Sequence, residues 1–290
     1  MKTEMLLKEL YLSNNELISL ATYFEKEFNH DIKLNLDKKL PTNLLNFDTA
    51  LDGGISPELY LLAGAEFSTR HSMLLYLAEQ FADAGYNVLY FSKLDSLKSI
   101  MRKFVMRYDF KLHRDLATTL PSIIDTLDNS PNLKRLFRQK IHEILSQIYV
   151  SNLRNNNISE IEQKVYEFKQ FGKVAVLIDE YQTVPFNELD TKSYQSKFSS
   201  FNRISQINEV PIIIMENLPK ETYSNLWKGH LIHGGFENDE NILLFSEDVN
   251  TVSINTTKLV EIKFINNSSH MDGRIIPLIY YPTHYYFQDA

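Results

Sequence analysis

The residues best placed to carry out chemistry lie between positions 63 and 74, in the stretch AGAEFSTRHSML. The apolar run from Leu59 to Leu62 precedes this stretch, and a helical pattern starts within it. A loop between a strand and a helix can point backbone N–H groups at phosphate oxygens, and the positive end of the helix adds to the attraction. The position therefore suits a phosphate-binding loop of the type G/A-x-x-x-x-G-K-S/T.

The window that aligns with this pattern lacks the second glycine and the lysine. Arg70 stands at the glycine position, His71 stands at the lysine position, and Ser72 alone keeps its hydroxyl. In full, the degenerate phosphate loop consists of Ala65, Glu66, Phe67, Ser68, Thr69, Arg70, His71 and Ser72. On its own, the window is more typical of a polar turn that caps a helix than of a nucleotide site.

Asp179 is the second candidate, because it ends the apolar run VAVLID, which starts at Val174 and has the pattern of a buried strand. In P-loop NTPases an acid at such a strand end holds Mg²⁺ together with the loop hydroxyl. The alternative is a structural carboxylate held by backbone N–H groups. The spacing of His230 and His233 is also found in metal sites. The absence of cysteine and the loop-like surroundings favour a structural or exposed pair, so we predict no metal site.

Strands and helices alternate along most of the chain, which predicts the elements that position these residues. Apolar strand candidates lie at 59–63, 87–92, 174–179 and 210–215, and helical patterns lie at 72–84, 97–148, 159–171 and 196–207. The last third, with the runs ILLF, LVEIKFI and IIPLIYY, is rich in strand patterns. Short apolar strands separated by helices are typical of a mostly parallel sheet covered on both faces. The predicted fold class is α/β.

The N-terminal part of the chain has a different pattern. Residues 1–37 are expected to form a helical arm, and residues 38–290 the main domain. The sequence from Ser13 to Glu16 matches a capping box and precedes the amphipathic run LISLATYFEKEF. The first residues carry acids and lack a signal-type cleavage site.

Composition excludes several classes of protein. With 290 residues and a net charge of −7, a generally basic surface that coats nucleic acid is not expected. The absence of cysteine excludes a disulfide framework, a thiolate zinc site and a cysteine nucleophile. No apolar run approaches the roughly 20 residues that span a bilayer, so we expect a cytoplasmic protein with no membrane partner.

The order of these motifs resembles the C-terminal, RecA-like ATPase domain of DnaB-type replicative helicases. The resemblance extends from about residue 38 to 287 and rests on several weak matches in one order. The matches are Pro41-Thr42, Asp48 and Gly54, then 88–92, 148–150, 158–161, 177–182, 209–213, 236–241, 261–273 and 285–287. The resemblance implies a P-loop NTPase fold, with a mostly parallel twisted sheet flanked by helices and a β-rich C-terminal part.

The same resemblance implies that the chemistry has been lost. In this sequence, Arg70 stands at the position of the family's loop glycine and His71 at that of its loop lysine. Leu94 stands at the position of the catalytic glutamate and Asn217 at that of the sensor glutamine. The positions of the family's lysine and arginine finger are occupied by Asn266 and Ser268. Retained are Ser72, Asp179 and Gln182. Because these losses affect independent sources of transition-state stabilisation, we predict a pseudo-ATPase without a cofactor. Binding of ATP and Mg²⁺ without hydrolysis remains the alternative.

The function expected from this combination is that of a non-enzymatic accessory protein in replication or in a mobile element. Its partners would be another copy of itself, a replicative helicase or another replisome component. One alternative is a divergent ATP-dependent helicase motor. Another is a single-strand DNA-binding factor, although the segments at the family's DNA-binding loops, 183–197 and 219–223, have little net positive charge. The closing aromatic residues are expected to complete the core rather than to stack on bases; they are Tyr280, Tyr281, Tyr285, Tyr286 and Phe287.

Overall fold

The computed structural model describes residues 39–64, 69–93, 96–152, 156–185, 194–228, 241–247, 257–265 and 273–290. The predicted N-terminal arm and its capping box lie outside these residues. From Leu40 onward the described residues belong to one compact unit. No helix in the described ranges is both long enough and apolar enough to cross a membrane.

The elements follow the predicted alternation. The strands are β1 (Leu59–Gly64), β2 (Asn87–Ser92), β3 (Ile148–Asn152), β4 (Val174–Ile178), β5 (Ile212–Asn217), β6 (Asn241–Glu247), β7 (Lys258–Ile265), β8 (Ile275–Tyr281) and β9 (Tyr286–Asp289). The helices are α1 (Leu45–Ala50), α2 (Thr69–Asp83), α3 (Leu97–His113), α4 (Leu120–Asp128), α5 (Pro131–Leu145), α6 (Ile158–Lys169), α7 (Tyr194–Asn208) and α8 (Lys220–Trp227). β5 begins at Ile212 rather than at the predicted Val210, because Pro211 has no N–H to donate to a neighbouring strand.

All of these strands belong to one sheet, in the order β3-β2-β4-β5-β1-β6-β7-β8-β9. Neighbours from β3 to β6 pair in parallel, whereas β6, β7, β8 and β9 pair successively as antiparallel strands. The prediction of an α/β fold with a mostly parallel sheet and a β-rich C-terminal part is therefore confirmed.

The sheet is parallel and central because its strands are apolar on both faces. All residues of β1 and of β4 are buried. Tyr60 and Leu62 of β1 pack in a core that includes α1 and α2, while Leu61 and Ala63 pack in a second core that includes α6 and α7. Helices on both faces are what such strands require.

The segment before β1 is held by a tight approach of two backbone stretches. Leu40 and Ile55 form an antiparallel bridge, and Gly54 between them has a φ of 130°. A Cβ at Gly54 would lie 2.4 Å from the carbonyl oxygen of Leu40, so only glycine fits. The amide and hydroxyl of Thr42 donate to Asp48 Oδ1 over 2.8 and 2.6 Å.

The long helical region predicted at 97–148 is divided into α3, α4 and α5. Helix α3 ends where Arg114 takes up the left-handed conformation, with a φ of 56°. Helix α4 starts at a capping box between Thr119 and Ser122, and α5 starts at Pro131, a residue favoured in the first helical turn.

Of the five aromatic residues near the C-terminus, Tyr280 and Phe287 pack in the core as expected, whereas Tyr281, Tyr285 and Tyr286 are half-buried. Phe287 is fully buried, and its ring stacks on Tyr280 with centroids 4.6 Å apart. Tyr76 of α2 meets Phe287 and Tyr286 edge to face. These contacts attach β8 and β9 to α2.

Candidate functional site

The carboxyl ends of β1, β2, β4 and β5 lie side by side, at the edge where parallel α/β sheets bind their ligands. Gly64 at the end of β1 is opposite Asn217 at the end of β5. Ile178 of β4 is opposite Phe91 of β2 on one side and Ile214 of β5 on the other. The sequence candidates Arg70, Ser72, Asp179, Gln182 and Asn217 all come from this edge or directly follow it.

Arg70 is turned inward from the first turn of α2, and its side chain is only 2% exposed. Its guanidinium donates to the carbonyl oxygen of Glu216, and to Asn217 Oδ1 over 2.5 Å. Both acceptors are at the end of β5. The predicted replacement for the loop glycine thus ties α2 to the end of a central strand.

The stem of Arg70 also covers Gly64. An added Cβ at Gly64 would lie 3.2 Å from Cδ and 3.3 Å from Nε of Arg70, and 3.1 Å from the carbonyl oxygen of Phe245. A phosphate loop has bare glycine backbone at the position of Arg70, so that the phosphate can approach it. Here that position carries a long side chain, which lies against Gly64.

Ser72 and Asp179 make contacts within the protein rather than a shared metal site. The Ser72 hydroxyl lies 2.7 Å from the hydroxyl of Tyr280, which comes from β8. Asp179 is fully buried, and its carboxylate accepts from Ser92 Oγ over 2.5 Å and from the Lys93 amide over 2.7 Å. The carboxylate therefore connects the end of β4 to the end of β2.

The sequence did not single out Glu216, which lies beside Arg70 and is 6% exposed. Burial raises the pKa of its carboxyl to about 7, against the opposing effects of hydrogen bonds from Gln182 and Tyr181 and of the charge of Arg70. The Tyr181 hydroxyl donates to Glu216 Oε2 over 3.3 Å. Glu216 follows the apolar run IIIM, so the rule that picked out Asp179, an acid at the end of an apolar strand, could have found it.

Lys93 is the other missed residue. Its ammonium pairs with Glu180 Oε2 at 3.0 Å, next to the carboxylate of Asp179. Glu180 has a φ of 45°, so the chain turns sharply directly after Asp179. Asp179 and Glu180, which are adjacent in the sequence, thus each connect the end of β4 to the end of β2: Asp179 through the Lys93 amide and Glu180 through the Lys93 ammonium.

Several predicted positions lie outside the described residues. These are 65–68 of the phosphate loop, Leu94, His230, His233, Asn266 and Ser268. Thr69 is buried and His71 is half-buried at the start of α2. Within the described ranges, no group of three or more metal-binding side chains comes together. Pro219 to Tyr223 leads into α8, where the charges of Lys220 and Glu221 cancel.

ATP and Mg²⁺ are the ligands that this type of fold implies, and the described residues at the site do not fit them. The side chain of Arg70 lies against Gly64, Ser72 is bonded to Tyr280, and the carboxylate of Asp179 is bonded to Ser92 and Lys93. These three side chains, from the described part of the site, are thus engaged with other parts of the protein.

Comparison with solved structures identifies the fold. The isolated ATPase domain of one DnaB-like helicase matches with a TM-score of 0.64 at 14% identity, over 93% of this chain and 97% of that chain. A DnaB-like replicative helicase, solved in a study of its interactions with primase, matches with a TM-score of 0.66 at 14% identity, over 100% of this chain and 71% of that chain. The chain has the fold of a DnaB-like helicase ATPase domain. No family model and no curated protein matches it in sequence.

Proposed function

We propose that this chain is a pseudo-ATPase of the DnaB-like helicase fold, which acts in replication or in a mobile element by binding other proteins. The observation that carries the proposal is the position of Arg70, whose side chain lies against Gly64 and bonds to the end of β5. In a working phosphate loop, backbone N–H groups and a lysine contact the phosphates at this place.

The chemical losses support the absence of catalysis. His71, which is shorter than lysine, stands at the lysine position, and Asn217 at the sensor position accepts a hydrogen bond from Arg70. The residues at the finger positions, Asn266 and Ser268, carry no charge. An arginine finger alone is worth about 10³- to 10⁵-fold in the rate of related phosphoryl transfers.

Exposed apolar side chains support a role in protein binding. Phe171 is 82% exposed, and Tyr166 and Ile207 are each 64% exposed. Tyr166 and Ile207 lie in the last turns of α6 and α7, and Phe171 follows α6; a hydrogen bond from Lys169 to the carbonyl of Asn208 joins the two helix ends. Exposed apolar side chains at joined helix ends are candidates for an interaction surface. The partners we propose are a second copy of the chain, a replicative helicase or another replisome component; no membrane partner is proposed, and DNA is a weaker candidate.

The first experiment is a calorimetric titration of the full chain with ATP and Mg²⁺, repeated with a non-hydrolysable analogue. We expect no saturable heat up to about 1 mM nucleotide. Phosphate release is measured on the same sample and should equal that of the buffer. Micromolar binding, or hydrolysis that Asp179→Ala abolishes, would contradict the proposal and favour the divergent motor.

The second experiment tests the binding surface by sedimentation of the protein alone and mixed with a DnaB-type helicase. We expect association in at least one of the two samples, and we expect Phe171→Glu with Ile207→Glu to weaken it. Lys169→Glu cannot serve as the control, because Lys169 itself joins the two helices. Arg135→Glu, an exposed change on α5, is the matched control and should leave association unchanged.

A further inference from the structure

A cavity of about 570 Å³ lies between α3, α4 and α5, and none of the strand-end residues described above lines it. Its walls include Asp109 of α3, Ile123 of α4, and Leu136 and Phe137 of α5. Cavities of about 300 to 1,000 Å³ with mainly apolar walls and a few polar groups are typical of small-molecule sites. The size and lining of this cavity are therefore those of a ligand site.

Asp109 is the buried charged group in the wall of this cavity. It is 6% exposed, and its Oδ1 lies 3.0 Å from His113 Nδ1. Its Oδ2 is buried and has no hydrogen-bond partner among the residues that the structure describes. Buried polar atoms are almost always hydrogen-bonded, and a carboxylate oxygen accepts from donors only. Oδ2 therefore lacks the donor that a buried carboxylate oxygen normally has.

The neighbouring positive charges have other partners. Lys140 at the rim of the cavity lies 2.7 Å from Glu143 Oε2, and its side chain is 62% exposed. Arg114, which follows α3, lies over the rings of Phe110 and Tyr286, at 5.5 and 4.7 Å from their centroids. Among the described residues, the hydrogen-bond partner of the Asp109 carboxylate is the half-exposed His113, and charge complementarity favours a cation as the ligand.

We propose that this cavity binds a small organic cation, namely a primary ammonium group on an apolar body. The ammonium pairs with the carboxylate of Asp109 through a charge-assisted hydrogen bond, the stronger class of such bonds. The apolar body lies against Ile123, Leu136 and Phe137, where it is removed from water. The proposal shares no residue with the nucleotide or interaction surfaces and stands independently of the proposed function.

The test compares two probes with the same indole body, tryptamine and tryptophol, which differ by an ammonium in place of a hydroxyl. Each is titrated into the full chain by calorimetry, and binding is followed independently by saturation-transfer NMR. We expect saturable binding of tryptamine, with an affinity at least about tenfold above that of tryptophol. Equal affinities, or no binding of tryptamine at about 5 mM, would overturn the proposal.

Two variants then assign the preference to one carboxylate. Asp109→Asn should reduce the preference for tryptamine to within about twofold, because the charge at the buried oxygen is removed. Asp115→Asn is the matched control, since Asp115 also lines the cavity but is exposed, and its change should keep the preference. If both variants abolish the preference equally, the attraction is a general effect of net charge and the proposed contact is wrong. If Asp109→Asn does not fold, the comparison of the two probes on the unaltered chain still decides.

Discussion

Charged side chains are buried both at the strand ends and in the layer formed by α3, α4 and α5, but their surroundings differ. Arg70 and Asp179 at the strand ends contact hydrogen-bond partners from neighbouring strands. Asp109 in the helical layer is buried to a similar degree, yet its Oδ2 lacks a partner in the described part of the chain. The first region satisfies these two charges within the protein, whereas the second leaves one carboxylate oxygen without a donor among the described residues.

This difference separates buried polar groups that stabilise the fold from one that lacks a partner. A polar group that is fully bonded within the protein stabilises the fold, and removing its partner leaves a buried group unpaired. A polar group without a partner is destabilising until a ligand supplies one. The likeness to helicase domains indicates a ligand site at the strand ends, whereas the unpaired oxygen of Asp109 indicates one at the cavity.

Arg70→Met is expected to have the largest effect. The change keeps an apolar stem over Gly64 but removes the donor to the Glu216 carbonyl and to Asn217 Oδ1. Leaving the buried carbonyl of Glu216 unpaired, and removing the bond to the exposed Asn217, should lower the free energy of unfolding by about 3 kcal/mol, measured by urea denaturation. Arg135→Met, an exposed arginine on α5, should change it by less than about 0.5 kcal/mol. Equal stabilities for the two variants would mean that Arg70 does not hold the strand ends together.

Asp179→Asn should have the next largest effect. The amide has one acceptor oxygen in place of two, and its NH₂ group then faces the donors Ser92 or Lys93. We expect a loss of about 2 kcal/mol in the free energy of unfolding. The exposed Asp125 of α4 supplies the control, because Asp125→Asn makes the same chemical change in water. If neither variant loses stability, the carboxylate of Asp179 does not connect β4 to β2.

Glu216 predicts how stability changes with pH. Its pKa of about 7, raised from 4.5, means that the folded protein binds more protons than the unfolded chain between these two values. The stability contributed by protonated Glu216 is therefore present at low pH and is lost as pH rises through 7. Relative to Glu216→Gln, which cannot ionise, the unaltered chain should lose about 2 kcal/mol of unfolding free energy between pH 5 and pH 8. Parallel stability profiles for the two proteins would show that the carboxyl titrates at its ordinary pKa.

Much of the fold could be predicted from the sequence because its cause is local. Apolar runs such as NVLYFS and IIPLIYY, separated by helical patterns, are long enough to specify buried strands, and β2 and β8 have the predicted bounds. The breaks within the long helical region were harder to place. They depend on Arg114 in a left-handed conformation and on the Thr119 capping box, which are signals of only one or two residues.

The candidate site was predicted only in part, because its character depends on contacts between distant segments. The substitution at Arg70 was visible in the sequence, but its partners at Glu216 and Asn217 are about 146 positions away. The contact between Ser72 and Tyr280 joins residues 208 positions apart. Asp109 was not found, because a single acid on a helix among charged neighbours has no distinguishing pattern.

Asp109→Asn should have the smallest effect on stability, and this tests the comparison most directly. The amide keeps an acceptor for His113 and removes a buried charge whose other oxygen has no donor in the described ranges. Without a ligand, the free energy of unfolding should therefore change by less than about 1 kcal/mol, in contrast to the loss expected for the same substitution at Asp179. Urea denaturation of both variants in one buffer gives the two values side by side. A loss at Asp109 as large as that at Asp179 would mean that the protein itself satisfies Oδ2, and the cavity would then have no charge to offer a cation.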